Sequence, residues 1–191
     1  NLWVSQNSKT VLAKSRSLSE LYYYARSRRV LRQNLMARDI KMITALWKRT
    51  TGGFGYFGDI DNIYYAIRTH AIVARKPLAI CASQFIGSCQ NDDGGFGNRP
   101  CLRSRLDVTY CAIAIHVLLG FPILSRRACI LWIKSCKTQD AFSLWPGQKP
   151  HIAAVYWALA TAKLLKVAFP TAGLRQWLQA ENCYPRRYCL A

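Results

Sequence analysis

The chain has 191 residues, 51% of them hydrophobic and 19% charged, with a formal net charge of +18. This composition supports a buried core of one-domain size and excludes a disordered polymer. The positive field favours encounter with anionic partners such as an acidic protein subunit, a diphosphate or a lipid headgroup surface, with solvation of an outer helical ring as the plain alternative. No familiar nucleic-acid module or regular basic-aromatic strand pattern accompanies the charge, so nucleic acid is not an expected partner.

In chain order, Leu2-Trp3-Val4 is followed at once by polar residues, which does not read as a secretory signal, and a cytoplasmic setting is expected. The first predicted helix opens at Tyr23-Tyr24-Ala25, and Arg26, Arg28, Arg29, Arg32, Arg38 and Lys41 concentrate positive charge around and after it. Gly52-Gly53-Phe54-Gly55 then reads as a turn. A second helix opens at Tyr64-Tyr65-Ala66, after Gly58-Asp59-Ile60-Asp61. The fullest turn is Gly94-Gly95-Phe96-Gly97, 42 residues after the first, and Tyr110-Cys111-Ala112 opens the helix that follows. Asp140-Ala141-Phe142 repeats the turn 46 residues later, before Tyr156-Trp157-Ala158. The tyrosine starts fall at intervals of 41, 46 and 46 residues.

A period of roughly 40 to 50 residues predicts stacked supersecondary units. Here each unit is a pair of helices, giving an all-α fold in one domain with units near 20–60, 61–106, 107–150 and 151–191. In the Gly-Gly-Phe turns glycine permits positive φ, and phenylalanine can plug the gap between helices. The run Ile113-Ala114-Ile115 through Leu119 is apolar on more than one face, as an inner helix would be. It is bounded by Asp107 and Gly120 and contains His116, short of the roughly 20 residues of a membrane span.

None of the eight cysteines forms a Cys-x-x-Cys pair. Cys81, Cys89, Cys111, Cys129 and Cys136 fall within apolar helical segments and are expected as buried free thiols. Asp61 recurs as Asp107 and reads as a helix N-cap. Asp92-Asp93, just before Gly94, reads as turn chemistry.

The Gly-Gly-Phe turn, the preceding Ser88-Cys89-Gln90 and the following Asp107-x-x-Tyr110-Cys111-Ala112 resemble the repeats of the prenyltransferase and terpenoid-cyclase α/α toroid, over most of residues 20–180. Gly58-Asp59-Ile60-Asp61 and the stretch from Cys89 to Pro100 are most similar to protein prenyltransferase β subunits, of the geranylgeranyl type acting on Rab proteins. The resemblance implies an α/α toroid, here an incomplete ring of about four hairpins. It further implies transfer of an isoprenoid from its diphosphate to a protein cysteine, with an acidic α-type subunit and a prenyl-acceptor protein as partners.

That resemblance also implies a rim at the inner-helix starts, comprising Glu20, Asp61, Arg105, Asp107 and His151, and a funnel lined by Tyr64, Tyr65, Tyr110, Tyr156 and Trp157. The alternative for any single aromatic is ordinary inter-helix packing. Arg103 and Arg105 are candidates for the diphosphate, against the alternative that they solvate a loop or pair with Asp107. Ile63 stands where the family has an arginine. Zinc is the cofactor of the resembled enzymes, held by an Asp-x-Cys and a later histidine. Here His151-Ile152-Ala153 occupies the Asp-x-Cys position and the third ligand would lie in a further repeat, so no family metal site is expected. Two further readings stand beside transfer. One is a non-catalytic toroid that binds a partner; the other is a terpenoid cyclase, for which Asp59-Ile60-Asp61-Asn62 supplies only two of the three acids of its Asp-x-Asp-Asp motif.

Overall fold

The computed structural model describes residues 17–33, 35, 41, 58–74 and 82–180. Gly52-Gly53-Phe54-Gly55, Arg38 and Cys81 lie outside the described residues. Seven helices occur among those described: α1 (Leu18–Val30), α2 (Ile60–Ala74), α3 (Ala82–Ser88), α4 (Leu106–Leu119), α5 (Arg126–Ser135), α6 (Ile152–Leu165) and α7 (Leu174–Ala180). No strand accompanies them there, and none of the helices is long and apolar enough to cross a membrane. By its internal contacts the chain divides into two compact units, residues 1–86 with 115–121 and residues 87–114 with 122–191.

In the first unit, α1 packs on α2. Ser17 caps α1 through a capping box in which Glu20 N donates to Ser17 Oγ at 3.2 Å and Ser17 N donates to Glu20 Oε2 at 3.4 Å. Asp59 serves α2 likewise, its Oδ1 accepting from Asn62 N at 2.8 Å. The aspartate at the start of α2 that caps is therefore Asp59, not Asp61, which sits inside the first turn. The two capping residues are 42 apart, and the burial pattern follows that spacing: Leu18, Leu21, Tyr22 and Ala25 are buried in α1, as are Ile60, Ile63, Tyr64 and Ile67 in α2. Tyr64 thus corresponds to Tyr22, one residue away from the Tyr23 alignment that the Tyr-Tyr-Ala strings suggest.

Two equivalent loops organise the second unit. Gln90 bridges Phe96 and Lys137 bridges Phe142, each as a single antiparallel bridge. Gly97 N donates to Cys89 O at 3.0 Å, as Ser143 N does to Cys136 O at 2.9 Å. Arg105 N donates to Phe96 O at 3.0 Å, as His151 N does to Phe142 O at 2.9 Å. Both phenylalanines are buried beneath these bonds, and a further bond from Leu106 N to Leu144 O at 2.9 Å ties the loops together.

Glycine is required in the first loop for two separate reasons. Gly94 has φ +89°, and at Gly95 an added Cβ would lie 2.6 Å from the Trp132 ring and from Ser104 Cβ. Asp93 completes the turn, its Oδ1 accepting from Gly95 N at 2.8 Å and from Ser104 Oγ at 2.7 Å. Cys89 and Cys136 each follow the last residue of a helix rather than lying within one, while Cys111 and Cys129 are helical. All four are buried free thiols, and Cys101 is free and exposed.

Candidate functional site

The candidate aromatics form two groups, one in each unit. In the first, Tyr64 and Tyr65 sit 5.3 Å apart between ring centroids, and Tyr22 lies 6.2 Å and 5.6 Å from them. In the second, Tyr110 from α4 meets two neighbours on α6: Trp157 at 4.9 Å and Tyr156 at 6.3 Å. Tyr110 and Tyr64 are buried, whereas Tyr156 is 53% exposed. One aromatic of the second group therefore offers a face to solvent while another anchors it in the core.

The two candidate arginines point to different partners. Arg105 forms a forked ion pair with Asp107, Nε to Oδ1 at 3.2 Å and Nη2 to Oδ2 at 2.7 Å. This pair occupies the guanidinium fork of Arg105. Arg103 is exposed and its guanidinium lies 4.8 Å from the centroid of the Trp145 ring, a cation–π contact. It borders a recess of about 420 Å³ together with Ser104, Trp132 and Trp145. Trp145 Nε1 is buried without a hydrogen-bond partner among the described residues. Sequence reasoning passed over Trp145 because it lies in a loop outside the helical register, and only the fold sets it beside Arg103.

Burial sets the state of the thiols. It pushes Cys89 up to about 11 and Cys129 up to about 12. At Cys136 burial again dominates, with the Asp93 carboxylate adding to it, and the thiol reaches about 12. These groups stay protonated near neutrality and are poor nucleophiles or metal ligands.

The rim candidates are engaged in helix starts. Glu20 belongs to the capping box of α1, and Asp107 lies in the first turn of α4. His151 is the N-cap of α6, where its Nδ1 accepts from Ala153 N at 3.2 Å. A metal at that position would find one exposed histidine with a nitrogen already used, beside Ala153, which offers no ligand atom. Among the described residues no three His, Cys, Asp or Glu side chains gather as a metal site. The described residues around His151 do not fit zinc. Ile63, at the expected arginine position, is fully buried in the core.

Sequence reasoning also passed over a second recess, of about 480 Å³, in the first unit, bordered by Tyr22, Arg26, Arg29 and Arg68. Its signal was present, since Tyr22-x-x-x-Arg26 recurs 42 residues later as Tyr64-x-x-x-Arg68. The family model of the prenyltransferase alpha-alpha toroid domain matches residues 29–132 and 121–184.

Proposed function

This chain belongs to the prenyltransferase alpha-alpha toroid family, and on that premise we propose that it is a protein prenyltransferase β-subunit-like toroid whose ligand is an isoprenoid diphosphate of the geranylgeranyl type. The observation that carries the ligand class is the Tyr110, Tyr156 and Trp157 cluster, which α4 and α6 build at their starts and leave partly open at Tyr156. An isoprenoid tail takes its affinity from apolar burial at about 25 cal/mol per Å², before ordering costs. Arg103 supports the diphosphate head better than Arg105, whose fork already holds Asp107.

The reaction of this class joins a protein cysteine sulfur to C1 of the isoprenoid as the bond from C1 to diphosphate oxygen breaks, and the thiol releases its proton to solvent. Diphosphate departs with the bonding electron pair. The acceptor is a partner protein and the +18 charge suits an acidic second subunit. The buried free thiols suit a reducing, cytoplasmic setting. Because His151 and Ala153 do not form a zinc site, no step is routed through that metal here.

The same observation at His151 favours a second reading, a toroid that binds its partner without turnover. Cyclase chemistry is less well supported, because Asp59 spends its carboxylate on the Asn62 amide.

Calorimetric titration with geranylgeranyl diphosphate and with geranylgeraniol tests the ligand assignment. Trp157→Ala weakens both ligands, and Arg103→Glu weakens the diphosphate at least about tenfold more than the alcohol. Equal weakening by Arg103→Glu, or no binding of either ligand to the folded chain, refutes isoprenoid diphosphate and leaves the partner-binding reading. Transfer of a labelled isoprenoid to a cysteine-bearing acceptor then separates an enzyme from a binder.

A further inference from the structure

The helices α1, α2, α4 and α6 each carry tyrosine as their fifth residue, and the first, fifth and eighth residues form one stripe along each helix. In α1, α2 and α4 all three positions of the stripe are buried. In α6 the same positions, Ile152, Tyr156 and Leu159, are 58%, 53% and 38% exposed. Where another helix reaches the stripe, the contact keeps a fixed form. Tyr65, the sixth residue of α2, lies 5.6 Å from Tyr22 of α1, and Trp157, the sixth residue of α6, lies 4.9 Å from Tyr110 of α4. Arg68, the ninth residue of α2, adds a bond from Nη2 to the Tyr22 hydroxyl oxygen at 3.0 Å.

The covering face has a further copy on α1, turned to solvent. There the sixth, ninth and thirteenth residues are Tyr23, Arg26 and Val30, all exposed, and Val30 is 73% so. Tyr23 meets Tyr65 at 6.0 Å yet leaves half of its surface open, and Arg26 leans back on its own Tyr22, Nη1 to the hydroxyl oxygen at 3.4 Å. Thus α1 presents the kind of face with which α2 covers Tyr22, while α6 presents the stripe that such a face covers.

We propose that two copies of this chain associate head to tail, with α1 of the partner subunit lying over Ile152, Tyr156 and Leu159 of α6 as α2 lies over α1. The partner's Tyr23 takes the place at Tyr156 that Tyr65 has at Tyr22, and the partner's Arg26 donates to the Tyr156 hydroxyl. This supplies an arginine to the Tyr110, Tyr156 and Trp157 cluster, where α6 itself has Ala160 as its ninth residue. Apolar burial drives the contact against the mutual repulsion of two chains of net charge +18. The interface joins unlike faces, which separates it from a twofold contact of α6 on α6. It does not depend on which ligand the cluster takes.

Sedimentation velocity on the full chain, without ligand, tests the assembly. Dimers or longer head-to-tail assemblies are expected to grow with protein concentration and with added salt, which screens the like charge. Two double variants change only exposed side chains and are checked for intact helical circular dichroism: Ile152→Glu with Leu159→Glu on α6, and Arg26→Glu with Val30→Glu on α1. Each is monomeric alone, and an equal mixture forms a one-to-one dimer, because each variant keeps the face that the other has lost. Arg26→Gln and Tyr156→Phe each weaken self-association at least about tenfold, and their combination weakens it no further, since both remove one hydrogen bond. A wild type that stays monomeric, an α1 variant that self-associates as the wild type does, a mixture that fails to pair, or assembly that weakens with salt overturns the proposal.

Discussion

Asp93 and Ser104 are joined by a 2.7 Å hydrogen bond from the Ser104 hydroxyl to the same carboxylate oxygen that takes the Gly95 amide. The bond spans 11 residues and closes the Gly-Gly-Phe loop onto the residue before Arg105. Asp93→Ala removes an acceptor of two donors, one of them on buried Ser104, and is expected to cost about 1 to 2 kcal/mol in chemical denaturation. Asp93→Asn lowers the pKa of Cys136, because the carboxylate helps to raise it.

The loop glycines give a contrast with a third. Gly95→Ala drives a methyl group into Trp132 and Ser104 at 2.6 Å and is expected to destabilise the fold by about 2 to 3 kcal/mol. Gly120 also has positive φ, at +71°, but nothing lies within 4 Å of a Cβ built there. Gly120→Ala therefore carries only the backbone strain, about 1 kcal/mol. Equal melting shifts for the two variants would show that the loop relaxes around the added methyl.

His151 as an N-cap makes its own prediction. His151→Ala lowers stability by about 0.5 to 1 kcal/mol, and His151→Asn restores it, because asparagine accepts the same amide. Chelators leave the melting of the wild type unchanged. A melting temperature that falls on chelation and loses that response in His151→Ala would instead make the residue a metal ligand.

Thiol chemistry is graded by burial. Maleimide labels Cys101 in the native chain well before Cys89, Cys111, Cys129 or Cys136, as mass spectrometry of partial digests can read.

Alkaline pH acts through the same buried thiols. Their folded pKa values, about 11 for Cys89 and about 12 for Cys129 and Cys136, lie above the ordinary 9.0 that the unfolded chain adopts. Below pH 9 both states hold these protons and stability is whole. As pH rises through 9 toward 12 the unfolded state loses protons first, so stability falls. Cys129→Ala flattens part of that slope in urea titrations between pH 8 and 11.

Much of the helical body could be read from the chain. The apolar runs opened by Tyr64, Tyr110 and Tyr156 are α2, α4 and α6, because a helix buried on several faces leaves a long unbroken apolar signature. Adjacent repeats of one residue type hid finer detail. Three consecutive tyrosines allowed Tyr23 to stand in for Tyr22, and two aspartates two residues apart allowed Asp61 to stand in for Asp59 as the cap. Only the packing and the hydrogen bonds separate these pairs. The partners of Arg103 and Arg68 were hidden for a different reason: Trp145 lies 42 residues beyond Arg103 and Tyr22 lies 46 before Arg68, so tertiary folding alone unites them.

The paired loops of the second unit also fix where the chain can be divided. Phe142 passes its carbonyl to His151, the residue just before the next helix, and Leu106 takes the carbonyl of Leu144 from the loop that follows. A cut at 150/151 strips the first bond of its donor, and a cut at 106/107 parts the second. The self-sufficient module is therefore displaced from the sequence period: it must carry its loop together with the opening of the next helix. Deletions or duplications that begin and end in mid-helix conserve these handovers, whereas those placed at the helix starts, where the sequence invites a boundary, sever them.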